Sequence, residues 1–486
     1  MKIDYLLEEE DREKLLIVRY LEFEKNNYLV LPRLYEVLGL SKFKTRNYII
    51  ELNKEFSTFD THPEIIVSED GEIEVKNLNL IDIKNLRRVY FAKSKIAQLL
   101  TDTITSKVTI DKFAEEHFLS TSRAYVKRKE LTVFLDKQGI KLKKNTLVGE
   151  ETAIRSMLFS VYFGIYNGYK LPFDEKILNE TKNIVQYFEY LLHLKLSSTK
   201  KIKLNLMVAL TLLRTYNGDA LADCFFVPEY FETVEGSEII QDLSHISFKN
   251  LTKEQILNEV SYILLFLIGE EEFAHGRQFV NEADHFQEID KISQVLSQHL
   301  IRLLPFSEKA PAEERLKAQD ELMLGIERIN RTHQVFDLKM SSFVSKKQMQ
   351  FFFETYPVFS SAVKEIVDRY IEEFNGHEEL AVRLFYDYLF LLIDVCPVSY
   401  FEPPIHVCID FSQGKTYTNY IVSQVNGFKN YNIVIESKVT SKTHIYLSDC
   451  LVENFSKEQI IWKEPPTPDD WENFGNAVIK LKNSQR

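Results

Sequence analysis

The side chains best placed to do chemistry lie between residues 120 and 144, and the chemistry they suit is contact with nucleic acid. Ser122, Arg123, Tyr125, Lys127 and Lys129 cluster at the start of one helical stretch, and Lys141, Lys143 and Lys144 follow on a short alternating segment. Polar and cationic side chains at the N-terminal end of a recognition helix reach base edges and phosphates. An arginine there forks onto guanine or clamps a phosphate. Lysines on a neighbouring hairpin hold the backbone, which fixes register without reading sequence. A second, weaker set (Lys42, Lys44, Arg46 and Asn47) opens an earlier helix, with acidic residues crowding the helices around it. Few of these residues are bidentate readers, so shape readout of bendable, A·T-rich DNA is expected.

Charge supports the same reading. From Ile81 to Glu150, fifteen Lys/Arg stand against eight Asp/Glu, a local excess of seven positive charges in a chain of formal net charge −12. A basic segment on an acidic protein is the footprint of a phosphate-binding module. Other chemistries find little support. Cys224, Cys396, Cys408 and Cys450 are scattered without CxxC spacing, and no histidine has ligand spacing. Neither a metal site nor a disulfide framework is expected, and a reducing cytoplasm is. Gly414-Lys415-Thr416 looks like the end of a phosphate-binding loop, but Ile409 stands where that motif needs its first glycine. No catalytic residue and no cofactor is assigned.

Two helical grammars must position the basic side chains. In the first, Leu16, Tyr20 and Phe23 fall at helical spacing, and a short helix over Pro32–Leu38 opens with proline in its first turn. Gly39-Leu40-Ser41 then makes a tight turn, and Ser41 caps a helix over Lys42–Phe56 with Thr45, Ile49 and Leu52 inward. Glu64–Val67 and Glu72–Val75 around Asp70-Gly71 read as a hairpin. In the second, a long helix over Leu80–Thr103 precedes a short one over Ile110–His117, capped by Thr109. Ser120 caps a helix ending near Gln138, with Ala124, Leu131 and Leu135 on its inner stripe and Gly139 at its end. Strands over Ile140–Lys144 and Thr146–Val148 form the second wing.

The rest of the chain is read as mainly helical. Only 15 Gly and 13 Pro in 486 residues disfavour an all-β fold, and 45% apolar with 27% charged residues is ordinary globular composition. Three to five domains are expected for this length. Apolar stripes at three- and four-residue spacing run from Ala153 to Val395 in two units of similar length. After Pro403-Pro404 the period changes: strands at Ile405–Ile409, Tyr431–Glu436 and Thr443–Leu447, and helices at Lys415–Val425 and Asp469–Leu481, predict a small parallel α/β domain. No apolar run reaches the roughly 18 residues that span a bilayer. The N-terminus turns acidic by Glu8–Glu10 and does not read as a signal peptide.

Tandem helix-turn-helix units ahead of two helical units and a small α/β domain resemble the Mga/AtxA family of virulence regulators. The sharpest part is Thr109-Ile-Asp-Lys-Phe-Ala-Glu-Glu-His-Phe-Leu-Ser-Thr-Ser-Arg, followed by Leu131, Leu135, Gly139-Ile140 and Leu147-Val148-Gly149-Glu150-Glu151. The resemblance implies winged helix-turn-helix domains at 1–79 and 80–168. It further implies two helical-bundle regulation domains of the phosphotransferase type (PRD-like) at 169–286 and 287–398. A domain similar to the phosphotransferase IIB component (EIIB-like) would occupy 403–486.

In family terms the regulation domains receive phosphate on histidine, and His193 and His377 occupy the places where the pattern puts such residues. His245, His275, His285, His299 and His333 rank lower. The IIB pattern needs a cysteine nucleophile after its first strand; here Asp410 stands there, with Cys408 inside the strand. The domain is therefore expected to be a non-catalytic module for self-association. The resulting reading is a cytoplasmic DNA-binding activator, not an enzyme. Its expected partners are double-stranded DNA, a second copy of the chain, phosphocarrier proteins and RNA polymerase, with no membrane. The alternatives are an RNA-binding antiterminator, which would carry a small β-rich RNA-binding domain in front, and a phosphotransferase component.

Overall fold

A computed structural model describes residues 3–25, 28–248, 250–280, 285–304, 310–337, 346–374, 376, 378–428, 431–453, 455–463 and 465–484. The chain divides into two compact units, one of Met1–Asn281 with Thr332–Ser341, the other of Glu282–Arg331 with Ser342–Arg486.

The first unit begins with α1 (Glu9–Glu24), α2 (Leu31–Leu38), α3 (Lys42–Phe56) and the antiparallel hairpin β1 (Glu64–Val67) and β2 (Ile73–Lys76). A similar order, with one more helix, follows in α4 (Leu80–Lys93), α5 (Lys95–Thr105), α6 (Ile110–Glu116), α7 (Thr121–Asp136) and the hairpin β3 (Lys141–Lys143) and β4 (Thr146–Val148). In each, helices precede a two-stranded hairpin, as expected from sequence. Three details differ. The helix expected over Leu80–Thr103 is two helices. Ser94 adopts an extended backbone and its hydroxyl accepts the Ala97 amide while donating to the Leu6 carbonyl at 2.6 Å, so it caps α5 instead of continuing α4. On α1 the stripe through Leu16 and Phe23 faces solvent, and Leu15, Val18 and Leu21 form the core face. The first wing's second strand begins one residue later than expected.

Helical structure continues with α8 (Glu151–Tyr166), α9 (Glu175–Leu191), α10 (Ser198–Tyr216), α11 (Val234–Ile246) and α12 (Lys253–Gly269). α8 and α12 are apolar on nearly every side and are buried accordingly. α8 packs against both α4 and α10, so it touches the second helix-turn-helix and the bundle alike.

The second unit holds α13 (Gln287–Leu303), α14 (Ala312–Val335, its last turn counted with the first unit), α15 (Lys346–Thr355), α16 (Pro357–Glu373) and α17 (Glu378–Val395). It ends in an α/β domain: β5 (Ile405–Ile409), α18 (Lys415–Val425), β6 (Ile433–Glu436), β7 (Ile445–Ser448), β8 (Glu458–Ile461) and α19 (Pro468–Ser484). The four strands are all parallel, in the order β6-β5-β7-β8. β8 was not foreseen: Glu458-Gln459-Ile460-Ile461 is too short to show an alternation. Ile405, Val407 and Ile409 point into a core closed by Ile421, Val425, Phe474 and Val478 of α18 and α19. His406 and Cys408 alternate onto the opposite face.

Candidate nucleic-acid interface

The second helix-turn-helix assembles as its caps dictate. Thr109 Oγ1 accepts the Lys112 amide at 3.4 Å and starts α6; Ser120 Oγ accepts the Arg123 amide at 3.3 Å and starts α7. Ala124, Leu131 and Leu135 are fully buried. That fixes the rotation of α7 and turns Ser122, Arg123, Tyr125 and Lys129 outward, all four exposed. Among the described residues, neither the Arg123 guanidinium nor the Lys129 ammonium has a side-chain partner.

Lys127 is different. It bonds to Glu8 at 2.7 Å and Glu130 at 3.1 Å and is half-buried. Burial acts to lower its pKa, but the two carboxylates outweigh burial and hold it above the ordinary lysine value. Its charge is already neutralised inside the protein, so a phosphate would have to compete with two carboxylates for it.

The wing places Lys141 and Lys143 on one face of β3, with Leu142 buried between them. Lys144 (φ 46°) and Asn145 (φ 58°) form the two left-handed positions of a tight hairpin turn. Asn145 is buried and its amide donates to the Val108 carbonyl, which ties the wing to the loop ahead of α6. Lys141, Lys143 and Lys144 all face solvent.

In the first unit Ser41 Oγ accepts the Lys44 amide at 3.2 Å, and Thr45, Ile49 and Leu52 are buried as expected. Lys42 and Arg46 are exposed and Asn47 half-buried. Lys44 is paired with Glu13 at 2.6 Å, and the Tyr48 hydroxyl donates to the same carboxylate at 2.7 Å.

Three features escaped the sequence reading. Phe118, in the turn before α7, is 97% exposed and has φ 54°, a left-handed backbone that bulky residues rarely adopt. Phe43 and Ile50 of α3 are also solvent-facing, because the apolar count alone does not say which side of a helix an apolar residue takes. The third is a buried ionic lattice joining α8, α10 and α12. Arg155 of α8, 0% exposed, donates to Glu259 of α12 and to Glu151 at 2.8 Å; Arg214 of α10 bonds to Glu151 at 2.7 Å and to Asp219 at 3.4 Å. Burial acts to lower the Arg155 pKa, and the Glu259 carboxylate more than reverses this. The available signal was Arg155 and Glu259 standing beside the long apolar runs of α8 and α12.

Away from the basic surface, His193 is exposed at the end of α9 with φ 51°. His377 lies outside the described residues. Cys408 is buried, and burial, helped by Asp410 and Glu436, pushes its thiol up to about 11. A thiol held protonated is not a nucleophile at neutral pH.

Residues 79–162 match the model of the Mga helix-turn-helix domain. No curated protein matches the chain. The matched segment contains α4–α7, the lysine wing and most of α8, so the basic surface lies within a DNA-binding domain of the Mga type, consistent with the Mga/AtxA resemblance. This supports a DNA-binding transcription regulator over an enzyme. No helix among the described residues is long and apolar enough to cross a membrane.

Proposed function

We propose that the chain is a cytoplasmic transcriptional activator that grips duplex DNA with the N-terminal end of α7 and the β3–β4 wing. The observation that carries this is the unpaired, outward set of Arg123, Lys129, Lys141, Lys143 and Lys144 on a helix and hairpin whose caps and buried stripes fix their orientation. Arg123, with Ser122 and Tyr125 beside it, approaches base edges; the lysines hold phosphates. Lys42, Arg46 and Asn47 of α3 add contacts from the first unit, and Lys44 and Lys127 serve mainly inside the protein.

Regulation is proposed to run through the helical body as two phosphotransferase-type domains, at 169–286 and 287–398, with RNA polymerase and phosphocarrier proteins as partners. The exposure of His193 at a helix end supports phosphorylation there, since transfer needs a reachable imidazole; His377 is the corresponding candidate in the second domain. Phosphate would add about −1.5 to −2 charges. A homodimer formed through the second unit is supported by an aromatic cluster on α15 and α17. Phe351 and Phe390 are each about half exposed, and both stack edge-on against Phe352 at 5.4 and 5.6 Å. Dimerisation doubles the DNA footprint through effective concentration. The α/β domain, its strand thiol protonated, acts in assembly and not in phosphate transfer.

Gel-shift titration of the full chain with duplex DNA and with structured RNA tests the core of this reading. Duplex DNA should bind more tightly, and Arg123→Ala should weaken it. Preference for RNA, or binding indifferent to Arg123, would overturn it. Mass spectrometry for acid-labile phosphohistidine tests His193 and His377.

A further inference from the structure

We infer that the first helix-turn-helix unit reads adenine–thymine pairs by apolar contact between Phe43 and Ile50 of α3 and the methyl groups of thymine. This rests on the DNA-binding reading above and adds a specificity determinant to it.

The two recognition helices are presented in the same way. Each follows a turn with a left-handed residue, Gly39 (φ 66°) or Phe118 (φ 54°), two places before a serine N-cap. The amide of the residue after the left-handed one bonds back to Tyr35 at 2.9 Å in the first unit and Ala114 at 2.8 Å in the second. Counted from the serine caps, Phe43, Asn47, Ile50 and Lys54 take the positions of Ser122, Val126, Lys129 and Val133. They lie opposite the buried Thr45, Ile49 and Leu52. Phe43 is 75% exposed and Ile50 54% exposed. Seven residues apart, they lie on one face about 10 Å apart along the axis, close to three base-pair steps of about 3.4 Å.

The charge around them selects the partner. Residues 1–79 carry seventeen Asp/Glu against eleven Lys/Arg, so this unit as a whole does not bind phosphate by bulk attraction. The outward face of α3 is an exception: Lys42, Arg46 and Lys54 are exposed on it, and positions 42, 43, 46, 47, 50 and 54 include no acid. An apolar face ringed by cations fits a groove floored by bases and methyls and walled by phosphates. A basic protein surface would be repelled by it. Lys44, the counterpart of Arg123, is occupied by Glu13. What remains for reading is apolar contact together with Asn47, whose amide can bond adenine N6 and N7 while the methyl beside it belongs to the paired thymine.

The test compares an alternating adenine–thymine duplex with the same duplex in which every thymine is uracil, which deletes the methyl and keeps pairing and charge. The full-length protein should bind the thymine duplex about fourfold more tightly per buried methyl. Phe43→Ala and Ile50→Ala, both exposed positions where alanine suits a helix, should each shrink that ratio by weakening the thymine duplex more than the uracil duplex. Arg123→Ala should weaken both duplexes and keep the ratio. Equal affinity of the wild type for the two duplexes, or an undiminished ratio in both α3 variants, overturns methyl reading even while Arg123 still matters. Loss of self-association in Phe43→Ala with the ratio intact also overturns it, by assigning the face to protein contact. Indifference of both duplexes to Arg123→Ala would instead defeat the DNA-binding reading itself.

Discussion

At the scale of single residues, the structure separates cations that look equivalent in the sequence. Lys127 and Lys129 are two positions apart, yet Lys127 is clamped by Glu8 and Glu130 while Lys129 faces solvent. Counterion release makes the distinction measurable: each lost phosphate contact lowers the slope of log affinity against log salt by about 0.9. Lys129→Ala and Lys143→Ala should each show that change in a salt titration, and Lys127→Ala should leave the slope alone. A Lys127 variant with a shallower slope would return that residue to the DNA surface. The buried lattice behaves oppositely, since its charges answer to the core. Glu259→Gln leaves Arg155 without a full counter-charge in a fully buried site, and breaking such a pair costs about 3–5 kcal/mol. Urea denaturation should report a loss of that size.

At the scale of elements, what was legible in the sequence was whatever local chemistry decides alone. Lys42–Phe56 and Lys415–Val425 are helices with the expected ends, and Ser41, Thr109 and Ser120 cap where expected, because a serine or threonine side chain bonds a nearby amide whatever surrounds it. The orientation of the candidate residues was readable for the same reason: a buried stripe of Ala124, Leu131 and Leu135 implies which residues point out. What failed was decided at a distance. The break at Ser94 is fixed by the Leu6 carbonyl, 88 residues earlier, and β8 exists only because β7 offers it an edge. Pairing of Lys44 with Glu13 likewise joins separate helices.

Phe118 gives an element-scale prediction of unusual sign. It occupies the left-handed position that Gly39 fills in the first unit, and nearly all its surface is in water. Phe118→Gly should therefore stabilise the domain, by about 1 kcal/mol, seen as a raised melting temperature. In the α/β domain, burial and neighbouring His406 depress the His444 pKa. Its unfolded form then takes up a proton that the folded form resists. Stability is therefore unaffected above about pH 6.5 and falls as pH drops below that value. Unfolding of this domain followed from pH 7 to pH 5 should show the decline, and His444→Gln should flatten it.

At the scale of the whole molecule, assembly and signalling are the properties to test. Phe351→Asp with Phe390→Asp should reduce the light-scattering mass toward that of one chain, as should deletion from Pro403 onward; an unchanged mass in both would remove the second unit from the dimer contact. The buried lattice also carries a consequence for how a signal could travel within the first unit. Asp219, which meets Arg214, also takes Lys107 at 3.4 Å, and Asn217 bonds to Ile104, so the segment leading into α6 is moored to the far end of α10. The second helix-turn-helix and α10 are thus joined at Lys107, Ile104, Asn217 and Asp219. If His193 takes a phosphate as proposed, the disturbance begins at the end of α9, which packs on α10, and that joint is the route by which it would be felt at the double helix without a single atom of phosphate coming near it.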